Sequence, residues 1–402
     1  MENLYFKEGI EITHFDNMST STTYLLSYKG RHWKVSSFVV NVFESIVRTN
    51  EKNKAYALVC EKMRKNISRQ KFEQVVTFFF KQGLFVGCED VITDKGRNKN
   101  LWCRFELIPA NFVNKLRFLS VLYKDRFMLL IGLLEVIIIS WFCAMYDLNV
   151  IYTDFLHLQP LELICGIGII VVLGIIHEFG HAVALMHSNE KTGSIGMGIY
   201  LYMPVFYCNV TNAWKLRRKQ RMIVDVGGIY LQAFAISIMA FCTTFIVANS
   251  AIKLAIIISA MQIIGNFNPF IRMDGYWLAC DFLGVSNPYE IIKQEIKNIF
   301  RKNKVKTEFT DMKKGYQKLF FLYAAAICIY FLYFIRLIGY LMVNAIIQIK
   351  TDLVSFHIET LRGLSVETVF CYVRSRLTMY LVVLFVIRLL FILGKKMRNG
   401  RI

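Results

Sequence analysis

The stretch "GIIHEFGHAVALMH", residues 174–187, decides how the chain is read. Most of it is apolar enough for a lipid bilayer, yet it carries His177, Glu178 and His181. Ionisable groups at membrane depth are costly, and they mark functional sites by default. On a helix, residues four apart share a face, so His177 and His181 present two ring nitrogens to one point. Zinc takes three protein ligands at a catalytic centre and keeps a fourth position for water. Glu178 stands next to the first histidine without being placed as a ligand. It suits the part of a general base that takes a proton from the water and passes it to a leaving amine. The third ligand has to come from elsewhere.

The rest of the chain supplies the solvent for that helix. Of its 402 residues 55% are hydrophobic and only 5 are proline, with a mean hydropathy of +0.42. That surplus points to a polytopic membrane protein, since a soluble domain of this size has no use for it. The formal charge of +19 then reads as cytoplasmic loops facing anionic lipid, and no nucleic-acid partner is expected. The ten cysteines form no C-x-x-C pair, which excludes a cysteine zinc knuckle and argues against a disulfide framework. No cleavable signal peptide is expected, because the first long apolar run begins near residue 127.

Six candidate spans are long enough for the hydrocarbon core: about 127–146, 161–185, 222–248, 252–273, 319–345 and 377–394. Residues 147–160 contain no Lys or Arg, whereas 214–221 carry five and 293–318 carry nine. The positive-inside bias therefore places both termini of a multi-pass membrane protein in the cytoplasm. The second and fourth spans then run in the same direction. His177 and His181 fall toward the cytoplasmic end of one. The stretch "GNFNPFIRMDGYW", residues 265–277, closes the other and brings Asp274 to similar depth. Polar clusters inside a bilayer usually find each other, so Asp274 is the best candidate for the third zinc ligand.

"HEFGHA" together with "NFNPFIRMDG" resembles the site-2 protease class of intramembrane zinc metalloproteases. The second stretch matches the Asn-x-x-Pro-x-x-x-x-Asp-Gly pattern of that class through Asn266, Pro269, Asp274 and Gly275. The resemblance implies that His177, His181 and Asp274 bind zinc (Zn2+), with Glu178 as general base. It also implies that Asn266 holds the substrate strand or polarises the scissile carbonyl. Pro269 breaks a helix and opens backbone groups toward a cavity. Asp274, Gly275 and Tyr276 are similar to the Asp-Gly-Tyr of the bacterial peptide zinc metalloprotease branch. The Gly-Pro usual near the third core span is replaced here by "DVGGIYLQ", residues 225–232.

Between the two clusters, residues 191–210 alternate β-formers around Gly193, Gly196 and Gly198 and read as strands. The functional expectation is an edge strand, with Gly196 and Gly198 at the substrate, that pairs with the extended peptide to be cut. The alternative is a plain surface hairpin.

The first 110 residues are a different material, basic and without a span. "TYLLSYKGRHWKVS", residues 23–36, reads as a hairpin turning at Lys29 and Gly30. Helices follow over 38–48, about 53–65, and from Ser68 to Gly83. This winged-helix outline over about 20–90 looks like the PqqD-like domains that bind leader segments of ribosomally made, modified peptides. A structural cap is the alternative. Residues 286–306 predict an amphipathic helix, with Asn287 as cap and Pro288 in its first turn, lying on the inner leaflet or packed on the N-terminal domain. Glu135, Arg336 and Arg388 fall within spans one, five and six and are candidates to pair with each other.

The expected architecture is a polytopic α-helical membrane protein of about six spans with a small α+β winged-helix-like N-terminal cytoplasmic domain. Its parts are 1–110 for peptide recognition, 111–126 as linker, 127–277 as metalloprotease core, 278–318 as basic amphipathic segment, and 319–402 as C-terminal membrane helices with a basic tail. The expected activity is zinc-dependent hydrolysis of a peptide bond in a small ribosomally made peptide or its leader. A peptide exporter or a peptide-modifying enzyme is the candidate partner beside the substrate and the bilayer. The rival expectations are cleavage of a membrane-anchored regulator, such as an anti-sigma factor, and a non-catalytic tether or export component that keeps the fold.

Overall fold

The structure, a computed structural model, describes residues 3–64, 67–89, 101–147, 157–200, 203–245, 249–300 and 307–355, with 150, 153–154 and 391. They fall into two compact units. One comprises Met1–Leu129, Ile175–Gln232 and Asn266–Phe320, and the other Leu130–Gly174, Ala233–Gly265 and Phe321–Ile402.

The first unit opens with β1 (Glu11–His14), β2 (Thr23–Tyr28) and β3 (Arg31–Ser36), an antiparallel sheet in that order. Lys29 and Gly30 both have positive φ, 47° and 73°. They form the two-residue turn whose twist matches that of the flanking strands. The helices α1 (Ser37–Thr49), α2 (Lys52–Met63) and α3 (Arg69–Lys81) follow, as the sequence predicts. The sheet and the helices close on one core in which Leu26, Val42, Ile46, Val59, Phe72 and Phe79 are buried. A groove of about 470 Å³ runs between β3 and α3, lined by Lys34, Ser36, Val39, Lys71, Val75 and Phe78.

The next strand, β4 (Leu101–Ile108), has no counterpart in the sequence reading. It leads through α4 (Ala110–Val113) and a 3-10 segment (Asn114–Tyr123) to α5 (Asp125–Met145) and α6 (Pro160–His187). Beyond α6, β4 pairs antiparallel with β5 (Ile195–Tyr200), and β5 pairs with β6 (Met203–Cys208). A second three-stranded sheet in the order β4-β5-β6 results. After a 3-10 turn (Thr211–Lys215) come α7 (Arg218–Phe245), α8 (Ser250–Asn266), α9 (Asp274–Leu283), α10 (Pro288–Ile299) and α11 (Lys314–Ser355). Asn287 caps α10 by accepting from the Glu290 N–H, as predicted. The helix buries Ile291 and Asn298 and leaves Ile296 and Ile299 exposed.

Within the first unit the β1–β2 loop is fastened to the start of α7. Asp16 accepts the Arg218 backbone N–H at 3.0 Å through Oδ2 and Arg221 Nη2 at 3.1 Å through its carbonyl. Arg221, 4% exposed, also donates to Asp281 Oδ1 at 2.7 Å and lies over the Phe15 ring at 4.7 Å. Lys34 covers the same ring at 4.3 Å. Burial there pulls its ammonium below the usual lysine range.

Among the described residues four helices are long and apolar enough to cross a membrane: Asp125–Met145, Pro160–His187, Arg218–Phe245 and Lys314–Ile347. The span expected over 252–273 ends earlier, because α8 stops at Asn266 and residues 267–273 turn around Pro269. Proline lacks the N–H and the room to continue a helix, so Asp274 opens a new one. The span expected over 377–394 lies outside the described residues, as does Arg388. In the second unit Glu135 is buried, 5% exposed. No ion pair joins it to Arg336 among the described residues. Gly166 packs on Ala251 there, with room for a Cβ no closer than 3.3 Å to the Ala251 carbonyl oxygen.

Candidate metal centre

His177 and His181 lie one turn apart on α6, 7% and 8% exposed, with their Nε2 atoms 3.2 Å apart. Asp274, the first residue of α9, brings Oδ2 to 2.9 Å from His177 Nε2 and Oδ1 to 3.4 Å from His181 Nε2. The turn after α8 delivers this carboxylate. A Cβ at Gly275 would collide with the Phe267 carbonyl, so glycine lets residues 267–273 fold back onto the start of α9.

The far side of each imidazole is already engaged. His177 Nδ1 donates to Gln232 Oε1 at 2.9 Å, and His181 Nδ1 donates to the Val224 carbonyl at 2.7 Å. An imidazole with its proton on Nδ1 presents a bare lone pair at Nε2. In their neutral form the two imidazoles therefore turn lone pairs toward the point that the carboxylate also faces. Asp274 Oδ2 is buried there without accepting a hydrogen bond. This donor set fits zinc. Bonds of about 2.0–2.1 Å in a tetrahedron put neighbouring ligand atoms about 3.3 Å apart, close to the 2.9, 3.2 and 3.4 Å observed.

The approach of α7 to α6 makes the cradle. Gly180 and Gly227 meet backbone to backbone, and a Cβ on either would collide with the other helix. The Tyr123 hydroxyl bridges their carbonyls at 3.0 and 2.8 Å. At Gly228 a Cβ would lie 2.5 Å from His181 Nε2 and 2.6 Å from His177 Nε2, in the space a metal needs. Gly227 and Gly228, where the site-2 protease class has Gly-Pro, thus have a packing reason of their own.

No family model matches the chain. No solved structure matches it either. The chain is 23% identical over 112 residues to a Bacillus subtilis (strain 168) protein described as "Putative peptide zinc metalloprotease protein YydH". The similarity covers 28% of this chain and 44% of that protein, so the chain spans less than half the length of its relative.

Glu178 stands outside the ligand trio, with its carboxylate turned toward the backbone N–H of Cys208 at the end of β6. The strands correct one expectation. Gly196 and Gly198 do not lie on an edge, because β4 and β6 flank β5 on both sides. A Cβ at Gly196 would meet the Phe105 carbonyl oxygen at 2.5 Å and the Tyr207 ring at 2.6 Å, so this glycine serves the packing of the sheet. The edge beside Glu178 belongs to β6, whose outer side pairs with no strand among the described residues. Asn266 closes α8 and Pro269 sits in the turn that follows.

The sequence reading missed Gln232, Gly228 and β4. Gln232, 2% exposed, carried a signal of its own: a polar residue inside an apolar helix needs a buried partner.

Proposed function

We propose that this chain is a membrane-embedded zinc metalloendopeptidase that cleaves a small ribosomally made peptide or its leader. One observation carries the reading: ligand atoms of His177, His181 and Asp274 converge beside Glu178 in a chain of long apolar helices. The name of the Bacillus relative supports the same class. Zinc held by this trio would supply Lewis acidity to the scissile carbonyl and make an attacking water more acidic. Glu178 would accept the proton that water loses as its oxygen bonds to the carbonyl carbon. It would return that proton to the amine as the C–N bond breaks, leaving a carboxylate and an amine. The peptide would lie extended along β6, which leads to Glu178, and Asn266 would hold it from the other side. Both termini would face the cytoplasm.

The N-terminal domain would capture the substrate. On β3 the outer edge is unpaired among the described residues. The groove beside it has an apolar floor of Val39, Val75 and Phe78 with Lys34 and Lys71 at its sides. A leader segment added as a strand there would gain backbone hydrogen bonds and apolar contacts at once.

The test is co-expression with each small open reading frame adjacent to the gene, followed by peptide mass spectrometry and assay of the purified chain. A product that disappears with a zinc chelator and returns with added zinc is expected; turnover indifferent to chelation sinks the proposal. The docking step has its own measurement. Lys71 is exposed on α3, so Lys71→Glu should leave folding intact. For a leader-bearing peptide KM is expected to rise by about tenfold with kcat little changed, the signature of lost uniform binding. An unchanged KM would leave residues 3–89 as a structural cap.

A further inference from the structure

The two histidines are held differently. His181 gives its Nδ1 proton to a backbone carbonyl, that of Val224, at 2.7 Å. His177 gives its proton to a side chain, Gln232 Oε1, at 2.9 Å. Val224, Gly228 and Gln232 recur every fourth residue and form one stripe along α7. This stripe faces His177 and His181, which recur every fourth residue on α6. Its middle member makes room for the ion and its outer members hold the rings. Only one of the two holds can be removed by changing a side chain.

We infer that Gln232 is the positioning residue of the metal centre, fixing the His177 tautomer and ring orientation so that Nε2 faces Asp274 and His181. The inference rests on the reading of the site as a zinc site. The physical case is that an imidazole has two tautomers and two ring orientations, and only one combination offers Nε2 with its lone pair bare. An amide oxygen at 2.9 Å accepts a proton from Nδ1 and cannot donate one, so it selects that combination. Gln232 is 2% exposed, and water is not at hand to replace it. Without the acceptor, the Nδ1 proton would be buried unpaired, and the ring would settle in the tautomer or orientation that relieves it. The other combinations turn an N–H or a C–H toward the carboxylate and take one ligand from the metal.

The experiment compares full-length wild type, Gln232→Met and Gln232→Glu in detergent, with zinc affinity measured by competition against a chromophoric chelator. Met keeps the length of the side chain and removes the acceptor. Glu keeps an oxygen that accepts from Nδ1. Zinc binding by Gln232→Met is expected to weaken by about 10–100-fold, the usual effect of losing such an outer partner. Gln232→Glu is expected to bind zinc as tightly as wild type or more tightly. Thermal unfolding of the zinc-free proteins checks that the methionine variant folds. Rescue by Glu separates positioning from packing, since a role in packing alone would be disturbed more by a buried carboxylate than by Met. Equal affinity in wild type and Gln232→Met, or an equal loss in both variants, would overturn the inference alone. A wild-type chain that takes up no zinc would overturn it together with the function proposed above.

Discussion

Glu178→Gln is expected to abolish peptide cleavage while leaving zinc in place. The substitution keeps the shape of the side chain and removes its ability to accept a proton. Glu178 contributes no atom to the trio that would hold the metal, so zinc per chain should equal that of wild type. What is lost is general acid–base chemistry, worth about 10²–10⁴ in rate. The effect should fall on kcat with KM little changed, because the proton moves only as the bond is made and broken. Cleavage at the wild-type rate by a zinc-loaded Glu178→Gln chain would remove this residue from the mechanism.

Gly228→Ala is expected to abolish cleavage by another route, by emptying the site. In an ordinary helix this change stabilises by about 0.5–1 kcal/mol, since glycine costs backbone entropy. At Gly228 the added methyl would sit 2.5 and 2.6 Å from the two histidine Nε2 atoms. α7 cannot retreat as a whole, because Gly227 is seated against Gly180 one residue away and Tyr123 ties both carbonyls. The rings must turn out of the cradle, and the metal loses its ligands. The two effects have opposite signs on different observables. The zinc-free protein should unfold at or near the wild-type temperature, while zinc per chain falls more than tenfold and cleavage disappears. Full zinc occupancy in the alanine variant would mean that the cradle between α6 and α7 is not where the ion sits.

Much of the site could be read before any coordinates because its chemistry is written in local spacing. Two histidines four apart on an apolar helix define a face, and the Asp-Gly that follows Pro269 marks a helix start after a forced stop. The hairpin at Lys29 and Gly30 and the three helices behind it were legible for the same reason, since turn residues and apolar periodicity act over a few positions. Gln232 and Gly228 were visible as letters but not as parts of the site. Their meaning depends on which face of α7 meets α6, and helix rotation is set by the Gly180–Gly227 contact between segments nearly fifty residues apart. The same limit explains the strands. Alternation around Gly196 and Gly198 announces strands but not which edge is covered. The cover comes from β4, which lies more than eighty residues earlier. Its irregular register, with shifts after Trp102 and Glu106, blurs the period-two pattern that would have flagged it.

The fastening of Phe15 and Asp16 onto the first turn of α7 changes what kind of part the N-terminal domain is. Domain exchange is the obvious way to redirect a peptidase toward a new precursor, and it presumes that the recruiting module is a cassette. Here the graft would remove the Asp16 acceptors of the Arg218 backbone N–H and of Arg221 Nη2, and Arg221 is too buried to find water in place of the second. A chimera that imports a foreign N-terminal domain must therefore import a matching loop between its first two strands, or replace Arg221 with a residue that needs no partner. Changes in the groove beside β3 at Lys71, Val75 or Phe78 leave that joint untouched, whereas Lys34 belongs to both.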